Sequence, residues 1–418
     1  MQTFARLVRQ VASGTMLSQM IILASTPVLT RLLTPEAFGI FALFSSAYVI
    51  VSGICTLKYE QSIIIPKDDE AASLLTALTV QLSLVGSLFF AGGIGFAVAA
   101  ADLSIGWIFL PLCTLLAAIQ SSTRQWCARL QNYRIYSSSI VLGALLNISA
   151  SMAIGILFSD IDAALIIGFS VGLLSSVIYS LAKQSRGFSE ALIFNKMRWR
   201  AFLALAGQYR EFPLHVLPIS LAVGVASYGP PLLLSLNYSL ETLGHYAVAS
   251  KFVLLPSAMI GGALSEAFRA EFMSRIHSGV GVNRSTRTLL LRLLLVAVPL
   301  YGLLALIAPW LFEFAFGAEY VRSGELAQIV SIGAVGLLVA QPFQSIFICL
   351  RRSGLGLALQ VAQSAIPLSL LYFVAQYRHI DDALLWHSIA VLLLSVIATW
   401  LAVQAGVRAD RDSSRSGG

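Results

Sequence analysis

Lys251 is the residue in this chain whose position most demands a chemical explanation. It interrupts an apolar stretch near 242–265, about nine residues in, which is ~14 Å of helical rise. A cation at the centre of a hydrocarbon layer costs at least about 2.5–3.5 kcal/mol. Such a group is expected to face a bundle interior or a wet cavity, where it binds an anion or pairs with an acid. Three arginines extend that chemistry. Arg31 closes the first apolar stretch, and Arg124 and Arg129 close the fourth beside Gln120, Gln125 and Trp126. Planar guanidinium forks match phosphate oxygens in pairs. These positions are therefore candidate substrate contacts: Arg31 at an outer vestibule or gate, Arg124 and Arg129 at an anion-attracting entrance. Each residue also fits a plainer role, Lys251 by snorkelling and the arginines as interfacial anchors.

Other chemistries find no support. Cys55, Cys113, Cys127 and Cys349 form no CxxC pair, and the five histidines show no ligand spacing, so neither a metal site nor a cofactor is expected. Lys67-Asp68-Asp69-Glu70 is only loosely similar to a nucleotide-sugar metal motif and fits a solvated loop leading into a helix. Gln19, Gln81, Gln208, Gln341 and Gln344 read as hydrogen-bonding glue between helices. No nucleophile constellation, Walker loop or dinucleotide fingerprint is present, which disfavours an enzyme and an ATP-driven pump. No basic cluster is interleaved with aromatics, so nucleic acid is not an expected partner.

The elements that must position these residues follow from composition. The chain is 57% apolar and 11% charged with a mean hydropathy of +0.82, far too apolar for a soluble protein of 418 residues. Apolar stretches fall near 11–33, 38–57, 72–99, 105–123, 136–158 and 163–182, then near 213–236, 242–265, 288–316, 325–350, 355–376 and 383–405. Each matches the roughly 20 residues needed to span about 30 Å of hydrocarbon. The expected fold is all-α: a polytopic membrane protein of twelve transmembrane helices in two parallel six-helix lobes. The first stretch follows Arg6 and Arg9 but runs too long for a signal peptide, and it is read as a retained helix.

Of the 27 Lys and Arg residues, only Arg31, Arg322 and Arg378 fall in one alternate set of gaps, and Lys251 lies within a helix. All the others share the opposite face, which the positive-inside rule assigns to the cytoplasm together with both termini. The net charge of +7 thus reads as a topogenic signal first and as attraction to anionic headgroups second.

The expected organisation is an N-terminal lobe over 1–183, a basic cytoplasmic linker over 184–212, a C-terminal lobe over 213–407 and a cytoplasmic tail over 408–418. Two segments suggest an internal repeat. Thr34-Pro35-Glu36-Ala37-Phe38-Gly39 matches Ser239-Leu240-Glu241-Thr242-Leu243-Gly244, and each joins the first and second helix of a half. The hydroxyl residue is suited to cap the next helix and the glutamate to favour its positive end. The same alignment pairs Lys251 with Ser46. Pro27 in the first helix and Gly229-Pro230-Pro231 in the seventh are candidate hinges, because a proline removes a helical hydrogen bond and such breaks face protein or water in a bilayer.

One resemblance emerges from the quoted residues. Leu29-Thr30-Arg31-Leu32-Leu33-Thr34-Pro35-Glu36-Ala37-Phe38-Gly39, then Tyr59-Glu60, then Ile65-Pro66-Lys67-Asp68-Asp69-Glu70-Ala71 resembles the polysaccharide-biosynthesis flippase family. That family belongs to the multidrug/oligosaccharidyl-lipid/polysaccharide exporter superfamily. The resemblance implies translocation of undecaprenyl-diphosphate-linked oligosaccharide (an O-antigen, capsule or exopolysaccharide unit) across a bacterial inner membrane. It implies a central cationic cavity, rocking between inward- and outward-open states, and membrane lipids, a polymerase and glycosyltransferases as neighbours in the pathway. Some relatives carry charges within the first helix; this chain has none between Arg9 and Arg31, so that site is not transferred. The alternatives are a multidrug or cation antiporter of the same superfamily, a membrane glycosyltransferase or polymerase, and a scaffold. The first would want an acid deep in a helix, and the second a large outer loop.

Overall fold

The computed structural model describes residues 2–101, 105–158, 163–183, 199–278, 281–350 and 353–416. Among these residues there is no strand. The helices are α1 (Gln2–Leu32), α2 (Pro35–Cys55), α3 (Asp69–Ala101), α4 (Phe109–Arg129), α5 (Arg134–Leu157), α6 (Ala164–Lys183) and α7 (Trp199–Gln208). They continue with α8 (Leu217–Leu234), α9 (Leu240–Pro256), α10 (Gly262–His277), α11 (Asn283–Phe316), α12 (Val321–Cys349), α13 (Ser353–Ala375) and α14 (Ile380–Ser416). Eleven segments among the described residues are long and apolar enough to cross a membrane, and they cover α2 to α6, α8, α9 and α11 to α14. Helix α1 is the twelfth of the plan. Its apolar run is diluted by Ser13, Thr15, Ser18, Gln19, Ser25 and Thr26. The chain is a multi-pass, all-α membrane protein, as its hydropathy pattern predicts.

The chain divides into two compact units, 1–224 and 225–418, with the division inside α8. In the first unit α1 lies along α5, and a methyl group on Gly14 would stand 2.5 Å from Ser137 Cβ. Helices α5 and α6 meet through small residues. A methyl group on Gly172 would lie 2.5 Å from the Gly143 carbonyl oxygen, and one on Gly168 would overlap Ser151 Oγ. Such residues let two backbones approach where apolar lipid offers no competing hydrophobic drive. Helix α4 is tied to its neighbours by hydroxyls and an amide: Thr114 to Ser87 (2.8 Å), Cys113 to Ser170 (3.2 Å) and Gln120 to Ser176 (2.8 Å).

The second unit is built around α12, the most buried of its spans. His245 Nδ1 meets Ser323 Oγ at 3.0 Å, and Ser257 Oγ bonds Tyr301 Oη and donates to the Ala334 carbonyl at 3.3 Å. Gly333 and Gly336 of α12 admit the backbone of α14 at Ser388 and Leu392. The same pairs touch in each unit: α1 with α5, α2 with α4, α4 with α6 and α5 with α6 in the first, and α8 with α13, α9 with α12, α12 with α14 and α13 with α14 in the second. The repeated caps explain part of this likeness. Thr34 Oγ1 accepts from Ala37 N–H at 3.3 Å and Ser239 Oγ from Thr242 N–H at 3.2 Å, from nearly identical extended conformations.

The expected linker lies partly outside the described residues, since 184–198 are not among them. Its remainder forms α7 and is packed rather than free. Phe202 and Tyr209 join Tyr59, Ile63, Leu75 and Trp126 in a core of the first unit, and Tyr59 Oη donates to the Ala206 carbonyl at 3.0 Å.

Candidate functional site

Lys251 is the twelfth residue of the span Leu240–Gly261, about 16 Å of helical rise from Leu240. Its helix turns Leu243, Gly244, Tyr246, Val248, Ala249 and Val253 into the unit, so Lys251 falls on the other side and its side chain is exposed. Its repeat partner differs in kind: Ser46 is fully buried, and among the described residues its hydroxyl finds no hydrogen-bond partner. The aligned positions thus share a place in the repeat but not an environment. Five residues beyond Lys251, Pro256 opens a π-helical turn over Ser257–Gly261 before α10 continues. Wide turns of this kind leave backbone groups to be satisfied by side chains and cluster at functional places. A second π-helical turn, Phe212–Val216, precedes α8.

The structure separates the arginines. Arg31 is exposed in the last turn of α1, beside Leu32 and Leu33, which approach Gly155 near the end of α5. Arg124 is exposed on α4, and its guanidinium stands 6.0 Å from the ring centroid of Tyr136, near the start of α5. Those contacts are nineteen residues apart along α5, roughly 28 Å of rise, so one phosphate does not reach both. Arg129 points elsewhere. Its Nε and Nη2 donate to Asp69 Oδ1 at 3.0 and 2.8 Å, Nη2 donates to the Lys67 carbonyl at 2.9 Å, and Nη1 donates to the Pro66 carbonyl. Its side chain is 10% exposed. The guanidinium fastens the loop before α3 to the end of α4.

Neither proline hinge is broken here. Helix α1 runs through Pro27, where Thr26 and Thr30 hydroxyls donate to the Ile22 and Pro27 carbonyls. Helix α8 runs through Pro230 and Pro231, and Gly229 sits against Leu368 of α13. The departures from α-helical winding lie beside Pro213, Pro218 and Pro256 instead. The missing N–H of Pro256 was a sufficient signal in the sequence.

Glu60 was also under-read. It is 5% exposed, lies 3.7 Å from Lys58 Nζ, and among the described residues its Oε2 has no hydrogen-bond partner. It follows Lys58, whose backbone is left-handed (φ 62°), in a short 3-10 turn over Tyr59–Ile64. Only the turn brings that carboxylate inward; a loop acid has no local pattern that announces burial.

The profile of the family described as "Polysaccharide biosynthesis protein" matches residues 28–325. No curated protein is matched by sequence. Solved structures share the fold, among them the three that follow. The lipid II flippase MurJ, in an inward closed conformation, superposes with a TM-score of 0.74 at 12% identity over 96% of this chain and 90% of that one. A multidrug resistance MATE family transporter of the MOP superfamily, inward-facing, gives 0.71 at 12% identity over 94% and 96%. A MOP superfamily transporter from Pyrococcus furiosus, reported with reverse polarity of its binding pocket, gives 0.59 at 13% over 99% and 96%. With its twelve-helix order, its repeated Thr34 and Ser239 caps and a profile match spanning both units, this chain belongs to the polysaccharide biosynthesis protein family and has the fold of MOP superfamily transporters.

Proposed function

We propose that the protein is a transporter, not an enzyme: a flippase carrying undecaprenyl-diphosphate-linked oligosaccharide from the cytoplasmic to the outer leaflet of a bacterial inner membrane, by alternating access, with both termini cytoplasmic. The observation that carries this reading is Lys251, an exposed cation halfway along a membrane span in a member of a polysaccharide biosynthesis family. A charge kept at that depth, against a cost of at least about 2.5–3.5 kcal/mol, marks a place on the span where an anionic group such as a lipid diphosphate is favoured. The likeness to a lipid II flippase supports a lipid-linked cargo. Arg31 and Arg124 are proposed as separate contacts at two stages of the path. Arg129, whose donors already fasten the loop before α3, is proposed to support the site's frame. Pro27 and Gly229-Pro230-Pro231 remain proposed bending points. Movement of each negative charge outward down an inside-negative potential releases about 2.3 kcal/mol per 100 mV, so the membrane potential alone favours export.

The test is complementation of a strain lacking its own flippase. Lys251→Ala is expected to insert normally yet abolish export, with lipid-linked units accumulating on the inner leaflet, while Lys251→Arg keeps part of the activity. Full complementation by Lys251→Ala would refute the assignment. A multidrug or cation antiporter would instead change drug resistance without any change in lipid-linked glycan.

A further inference from the structure

Outside the transport path proposed above, the second unit holds a cleft of about 360 Å³ between α10 and the start of α11. That volume lies at the small end of the roughly 300–1,000 Å³ typical of small-ligand sites. Arg284, Thr288 and Arg292 recur every four residues on α11 and so share one face. Glu271 and Arg275, also four apart, face them from α10. Glu271 is already spoken for, since its Oε1 accepts from Arg275 Nε at 2.9 Å and from Ser285 Oγ at 2.8 Å. That leaves Arg284 and Arg292. Both are exposed, and among the described residues neither guanidinium makes a hydrogen bond or a salt bridge. Three guanidinium groups thus line a cleft with one carboxylate, which is hydrogen-bonded to Arg275 alone among them.

The remaining wall is apolar, with Leu264, Phe268 and Leu289 lining the cleft. Beyond it α11 exposes Leu291, Leu295 and Val298, the beginning of its membrane-facing surface. A charged end bound at the arginines would therefore have an apolar surface running away from it along the helix. We propose that this cleft is a binding site for the phosphate group of an anionic lipid, held by the forks of Arg284 and Arg292; the Thr288 hydroxyl between them donates to the Arg284 carbonyl at 2.8 Å and so is not counted as a donor to the phosphate. Paired forks suit phosphate oxygens better than ammonium groups do, and basic side chains at a membrane surface each gain about 1 kcal/mol from anionic lipid. The site owes nothing to Lys251 and stands whether or not the cargo assignment holds.

The experiment uses the full chain in nanodiscs of phosphatidylcholine with or without phosphatidylglycerol, and in detergent with inorganic phosphate. Bound lipid is counted by native mass spectrometry, and phosphate binding is read by thermal unfolding. Arg284→Gln with Arg292→Gln is expected to weaken phosphatidylglycerol retention roughly tenfold or more, the loss of two charge-assisted contacts. Arg284→Lys with Arg292→Lys keeps the charge, guards against a folding defect, and is expected to fall between. A matched loss of two exposed charges elsewhere, Lys183→Gln with Arg378→Gln, leaves retention unchanged. A phosphate-induced shift that vanishes in the Gln variant, without selective lipid retention, would keep the phosphate site and assign it to free phosphate. Equal binding by wild type and the Gln variant overturns the proposal, as does an equal loss in the matched control.

Discussion

Arg129 offers the sharpest separation of frame from function. Truncation to alanine removes donors from three groups at once: the Asp69 carboxylate, the Lys67 carbonyl and the Pro66 carbonyl. Their losses are unequal. Asp69 is 78% exposed, so its ion pair is worth at most about 1 kcal/mol. Lys67 is exposed, and water replaces the donor at its carbonyl. Pro66 is buried, and leaving its carbonyl unpaired costs about 1–3 kcal/mol. The sum for Arg129→Ala is a destabilisation of about 1–4 kcal/mol, and Arg129→Lys, which keeps the charge but not the fork, is expected to lose about half of that. The assay is unfolding in mixed dodecylmaltoside and SDS micelles followed by circular dichroism, alongside export normalised to folded protein in the membrane. Export per folded molecule should stay near wild type. A variant of wild-type stability that has lost export would place the guanidinium on the cargo and refute this account.

Three further outcomes follow from contacts described above. Gly172→Ala should destabilise the first unit by at least about 1–3 kcal/mol, because the new methyl meets the Gly143 carbonyl and Asn147 rather than a movable side-chain tip; Gly207→Ala, facing open space on α7, should be neutral or stabilising by about 0.5–1 kcal/mol in the same unfolding assay. The Ser285 hydroxyl and then the Arg275 guanidinium hold Glu271 below the ordinary glutamate value of 4.5. The folded carboxyl is therefore the stronger acid, so its contribution is present above that value and lost as the pH falls below it; it amounts to under about 1 kcal/mol at so exposed a site, and an acid titration of hairpin stability should flatten in Glu271→Gln. Arg322 donates to both Asp381 oxygens at 2.7 and 2.9 Å and to Glu325 at 2.6 Å, joining α12 to the start of α14. Arg322→Lys loses that fork and should cost about 1 kcal/mol in SDS unfolding, discounted for exposure.

What could be read without coordinates was whatever depends on composition over one helix length. Partition into lipid is a sum over roughly twenty consecutive residues, so the spans and the all-α fold were legible. The exceptional depth of Lys251 was legible too, because a charge in an apolar run needs no partner to be noticed. Helix caps are equally local, and Thr34 and Ser239 were visible for that reason. Tertiary structure alone decided what joins residues distant along the chain. It spent Arg129 on a loop some sixty residues away, set Arg31 and Arg124 at opposite ends of α5, and drew α7 into a core with Tyr59 and Trp126. It also buried Ser46 while exposing Lys251, and it turned Arg284 and Arg292, which the sequence showed only as topogenic charge, towards Glu271 and Arg275. Side-chain chemistry sets which contacts are favourable, but the direction in which each helix face points is fixed by its neighbours, and those neighbours are chosen by the packing of the whole unit.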